Sequence, residues 1–143
     1  MPAAYRQRVD EMAQRYLARD FAAEDGLPRA AVDEAQRRLG MRIPASLAYY
    51  YQRAGRCAAL NALHHRLYAP PELLTDGGFI VFMDENQSVV SWGFRATDCN
   101  EDDPIVWQRN NTPPQGWYSE DKRFTRFLAS MFDWYVETGI LRR

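Results

Sequence analysis

The chain has 143 residues, of which 46% are hydrophobic, 13% aromatic and 26% charged; this suits one domain with a real core and excludes a disordered tail. Eight glycines, eight prolines and only two cysteines exclude collagen-like and disulfide-framework chains, and no stretch reaches the roughly 20 apolar residues of a membrane span. Eighteen basic side chains nearly cancel nineteen acidic ones, and the formal charge of −1 gives no general affinity for nucleic acid.

In chain order, the first third reads as helical. Tyr5, Val9, Met12, Ala13 and Tyr16 recur at spacings of three and four, so they share one face, and the stretch up to Asp20 is charged on the others. Asp25-Gly26 breaks this helix. Pro28 suits the first turn of a second helix with Val32, Ala35 and Leu39 inward, and Gly40 is placed to end it in a left-handed conformation. A third helix starts near Pro44, turns Leu47, Tyr50, Tyr51 and Ala54 inward and stops at Gly55. Cys57 to Leu63 suits a further helical turn. Pro70-Pro71 breaks regular structure, Pro71 to Leu74 suits a short turn, and Asp76-Gly77-Gly78 is a loop signal.

There the period changes. Phe79 to Met83 is an unbroken apolar run, the pattern of a central strand covered on both faces. Asp84 to Gln87 suits a hairpin connection. Gln87 to Phe94 then alternates, with Val90, Trp92 and Phe94 on one face and Val89, Ser91 and Gly93 on the other. Ile105 to Gln108 reads as a third strand after the acidic loop Asp98 to Asp103. Asn110 to Gly116 is a loop, and Trp117-Tyr118 a short edge strand. Phe124, Phe127, Leu128, Met131, Phe132 and Tyr135 give the closing helix a wide aromatic face to cover the sheet, and Gly139 ends it. The expected class is α+β: helices, an antiparallel meander, then a helix.

The charge is unevenly placed. Residues 1–66 hold eleven arginines against seven acids, and residues 67–143 seven basic groups against twelve acids. Such polarity steers a charged partner if the fold keeps the halves on different faces. Cys57 and Cys99 fit no metal or redox spacing and read as reduced, buried or semi-buried thiols. No apolar leader follows Met1, so a cytoplasmic protein is expected. His64 and His65 are adjacent and chelate one ion poorly, which favours structural or surface roles. The acidic loop lacks the glycine and terminal glutamate of a calcium loop. It reads as a solvated turn in which Asp103 accepts N–H bonds, as a partner-binding loop or, least, as a metal or acid–base site. No nucleophile elbow or phosphate-cradling glycine loop exists. Neither an enzyme nor a cofactor is expected.

Four segments resemble a known family. Ile43-Pro44-Ala45-Ser46-Leu47 through Tyr50-Tyr51 to Gly55 is similar to a helical segment of the SUKH superfamily. Phe82-Met83-Asp84-Glu85-Asn86-Gln87 through Val89 to Trp92-Gly93 resembles that family's strand pair, and this hairpin is the most specific match. Asp103-Pro104-Ile105-Val106 resembles its next strand, and Trp117 followed by Phe127-Leu128 its end. The matches run in order over residues 39–135, about two-thirds of the chain, and leave the first 25 residues uncovered.

The resemblance implies helices packed on an antiparallel sheet of about four to six strands, in one domain over 1–143, and no catalysis. For bacterial members it implies an immunity protein that binds and neutralises a cognate toxin from an adjacent gene. The fungal branch implies the alternative, a regulatory or scaffold protein with a cellular partner. Neither nucleic acid nor membrane is expected as a partner, and a monomer is favoured. Charge clustering places the expected toxin surface on Asp98, Glu101, Asp102 and Asp103, with Glu85 and Asn86 at the neighbouring turn. Trp107, Trp117 and Tyr118 are candidate aromatic anchors.

Overall fold

A six-stranded antiparallel sheet is preceded by a layer of helices and closed by one more. The computed structural model describes residues 3–142; Met1, Pro2 and Arg143, the ends of the expected 1–143 domain, lie outside the described residues. The class is α+β.

Helix α1 (Ala4–Met12) runs on as a π-helical turn, Ala13–Leu17, which ends at Ala18 in the left-handed region. Its expected apolar face is buried through Tyr16. Asp25 shapes the break that follows: its carboxylate accepts the Ala22 N–H at 2.7 Å and meets Arg19 at 2.7 Å. Those two partners hold its pKa below the usual carboxylate range. Helix α2 (Arg29–Leu39) begins directly after Pro28. Gly40, at φ +68°, donates its N–H to the Gln36 and Arg37 carbonyls and terminates the helix as read. Helix α3 (Ala45–Ala54) follows Pro44, and the short α4 (Ala58–Asn61) follows Cys57. The buried tyrosines of α3 keep their hydroxyls satisfied: Tyr50 donates to Asn61 at 2.7 Å and Tyr51 to the Tyr68 carbonyl at 2.6 Å.

The strands are β1 (Arg66–Leu67), β2 (Leu74–Asp76), β3 (Phe79–Asp84), β4 (Val90–Arg95), β5 (Ile105–Asn110) and β6 (Gly116–Arg123). They lie in the order β1-β3-β4-β5-β6, with β2 pairing the same edge of β3 as β1. β3 is therefore interior, and Ile80, Val81 and Phe82 are sealed from solvent. Two features differ from the sequence reading. β1 and β2 are too short to show a period and exist through backbone pairing with β3. β6 is eight residues long, not a two-residue edge; its polar outer half has no alternation to read because an edge strand faces water.

Helix α5 (Phe124–Glu137) packs its aromatic stripe on the sheet as expected. Phe124 meets Phe82 and Phe94 edge-on at 5.3 and 5.5 Å, and Phe127 lies 5.5 Å from Trp92. Each such ring contributes about 2–3 kcal/mol by leaving water. The N-terminal helix, outside every family-like motif, docks here too: the Tyr16 hydroxyl lies 2.8 Å from the Asp133 carboxylate and 3.0 Å from the Ala129 carbonyl of α5. Cys57 and Cys99 are free and buried. Burial, with Asp98 nearby, pushes the Cys99 thiol up to about 12, which keeps it protonated.

The two charge halves do not stay apart. Arg8 meets Asp103, Arg15 meets Asp133 and Arg42 meets Asp102. Folding thus sets the basic half against the acidic half and reduces the polarity read from the chain.

Candidate functional site

The acidic loop leaves the end of β4, and each of its four acids has a different partner. Asp98 lies 3.8 Å from Arg95, Glu101 3.4 Å from Arg123 and Asp102 3.9 Å from Arg42. These exposed pairs are weak individually, but together they offset the loop's charge. Asp102 also lines a polar cleft of about 330 Å³ with Arg6, Arg29 and Arg42, and its carbonyl accepts the Ser46 N–H at 2.8 Å. Asp103 is 9% exposed. Its carboxylate accepts the Thr125 N–H at 3.1 Å and the Thr125 hydroxyl at 2.7 Å, so it caps the start of α5. It does accept an N–H bond, as read, but from a helix 22 residues away.

Glu85 and Asn86 are not neighbours of that loop. Their turn joins β3 to the start of β4, whereas the loop follows its end, so six residues of strand separate them, about 20 Å. Both residues build the turn. The Glu85 carboxylate accepts the N–H groups of Gln87 and Val89, and the Asn86 N–H donates to His65 Nδ1 at 3.1 Å.

The aromatic candidates divide between the two faces of the sheet. Trp107 and Trp117 are half-buried on the face opposite α5. Phe79 stacks on Trp117 at 3.9 Å and meets Trp107 at 5.9 Å. The Arg95 guanidinium lies 4.1 Å over Trp107, and that of Arg109 lies 5.7 Å from Trp117. Because Arg95 also meets Asp98, the strip Asp98–Arg95–Trp107–Phe79–Trp117–Arg109 is continuous. The Trp107 indole N–H is buried without a hydrogen-bond partner. Gly93 lies beneath the strip, and the Trp117 ring passes over it. Tyr118 follows Trp117 on β6 and points to the other face, 60% exposed.

A second feature escaped the sequence reading. Between α5 and the sheet lies a cleft of about 280 Å³, lined among others by His65, Trp92, Glu120, Lys122, Phe127 and Trp134. Trp92 donates its indole N–H to Glu120 at 2.7 Å across the intervening strand. His65 is held by hydrogen bonds and by ring contacts, among them one to Trp92 at 5.2 Å. Its N–H meets the Tyr135 hydroxyl at 3.0 Å, its Nδ1 takes the Asn86 N–H, and its ring lies parallel to Trp134 at 6.1 Å. His65, Trp92 and Phe127 were read singly from the sequence; Trp134, a large aromatic off the apolar stripe of the last helix, is the signal that could have pointed to a cleft.

Nδ1 accepts a bond, so the neutral His65 ring carries its proton on Nε2. Burial first, and His64 second, lower its pKa below the ordinary 6.5, against a smaller opposing pull from Glu85. A base with a lowered folded pKa leaves stability intact above pH 6.5 and removes it as pH falls toward the folded value. The denaturation midpoint is therefore expected to fall between pH 7 and 5.5. That fall should be smaller in His65→Gln, which keeps an acceptor but cannot titrate. A fall of equal size in the variant would contradict this origin.

Among the described residues no group of three His, Cys, Asp or Glu side chains is placed to hold a metal ion, and no helix is long and apolar enough to cross a membrane. No protein-family model, no curated protein and no solved structure matches the chain.

Proposed function

We propose that this chain is a non-enzymatic protein-binding module of the SUKH type, an immunity protein that binds and neutralises a cognate toxin encoded beside it. The immunity role comes from the family resemblance. One structural observation carries the binding role: the half-exposed strip of Phe79, Trp107 and Trp117, flanked by Arg95 and Arg109 on the sheet face away from α5. Tryptophan and arginine are the residues on which interface energy concentrates, and here they sit on rigid strands with little conformational freedom to lose.

The segments that carry the resemblance support a scaffold role for themselves. Phe82 stacks on Phe94 at 4.6 Å, Tyr50 packs on Phe124, and Asp103 caps α5. On this reading the scaffold is shared and the strip is what selects the toxin. Asp98 extends the strip into the acidic loop, and charge there acts on encounter rate more than on final affinity.

The test is co-expression with the protein encoded immediately upstream. That protein should arrest growth when expressed alone, and should be tolerated and co-purify when this chain is present. Growth arrest that this chain does not relieve, or the absence of any toxic neighbour, would overturn the immunity reading.

A further inference from the structure

We propose that the cleft between α5 and β6 seats a basic side chain of a protein partner, its cation against the Trp92, Phe127 and Trp134 rings with the Glu120 carboxylate as counter-charge. The inference rests on the reading of the chain as a protein-binding module. Its test uses a small cation alone, so either can fail without the other.

Three observations converge. First, the cleft, at about 280 Å³, lies below the usual range for a drug-sized ligand and suits a single side chain. Second, its lining includes the rings of Trp92, Phe127 and Trp134, and the negative quadrupole of an aromatic face attracts cations, that of tryptophan most strongly. This chain uses that chemistry itself, seating Arg95 over Trp107 and Arg66 over Tyr68 at 4.1 and 4.7 Å. Among the described residues no arginine is seated over Trp92 or Trp134, although Trp134 is 44% exposed.

Third, the Glu120 carboxylate is oriented but not neutralised. One oxygen accepts the Trp92 indole N–H, and among the described residues Glu120 forms no ion pair, in contrast to the acids of the loop. His65 opposes no cation, because its ring is neutral while Nδ1 accepts the Asn86 N–H. The remaining charge is Lys122, the chain's only lysine, exposed at the cleft and likewise without an ion pair among the described residues. It acts as an internal competitor for the seat.

That competition fixes the sign of two substitutions. The probe is N-acetyl-arginine methylamide, titrated against the full chain while the four indole N–H resonances are followed by NMR; N-acetyl-glutamate methylamide is the control. The Trp92 and Trp134 signals should move with the arginine probe and not with the glutamate one. Glu120→Gln keeps an acceptor for Trp92 and should weaken the arginine probe about tenfold. Lys122→Gln should tighten it about threefold. If Lys122→Gln instead abolishes binding, or the glutamate probe moves these signals, the cleft is an anion site and the proposal fails. If neither signal moves with the arginine probe in the folded wild-type chain, it fails as well.

Discussion

Alanine at Gly93 is expected to lower the unfolding free energy by about 3 kcal/mol. A Cβ there would stand 2.4 Å from the Ile80 carbonyl oxygen and 3.1 Å from the Trp117 ring. The ring can shift, but the carbonyl belongs to β3, the interior strand, and is held by its pairing with β4. Relief requires the two central strands to part. Such a change loosens the packing of Phe82 on Phe94 on one face and of Trp117 on Phe79 on the other. Denaturant unfolding of Gly93→Ala should show a lower midpoint at an unchanged slope. A midpoint equal to wild type would mean that this glycine, part of the most specific family-like motif, is there for something other than strand packing.

The second large effect is at Asp103. Asp103→Ala removes both acceptors of Thr125, whose side chain is fully buried. A buried hydroxyl and a helix N-terminal N–H are then left without partners, at a cost of about 3 kcal/mol. Asp103→Asn keeps one oxygen and should lose about 1 kcal/mol. The order wild type, Asn, Ala in unfolding midpoint is the expected result, and equal stability of all three would contradict the capping role. There is a practical consequence for function. Lost partner binding in an Asp103 variant reports a damaged fold, whereas Asp98, Glu101 and Asp102 are exposed enough to report a surface.

What the sequence could reveal follows from how far apart the interacting residues lie. The helix of Phe124 to Tyr135, the Gly40 terminus and the sealed run Phe79 to Met83 were legible because periodicity and glycine chemistry are local. β1 and β2 were not, because two or three residues that pair by backbone leave no side-chain pattern. The candidate site divides the same way. Trp107 and Trp117 stood out as residue types, but their union through Phe79 and Arg95 needs four strands in register. The loop Asp98 to Asp103 looked like one acidic patch because its acids are adjacent in the chain. Arg95, Arg123, Arg42 and Arg8, which offset or bury them, come from four separate segments. The cleft was least legible of all, since Trp92, Glu120 and Trp134 belong to three different elements and His65 to the bend before β1.

The most direct measurement of the central claim is calorimetric titration of the upstream-encoded protein into the wild-type chain and into Trp117→Ala, after circular dichroism has shown the variant folded. The expected result is a saturable complex with the wild type and an affinity loss of about 2 kcal/mol or more, roughly thirtyfold, in the variant. Equal affinity of the folded variant, or no binding by the wild type, would contradict a toxin-binding function carried by the aromatic strip.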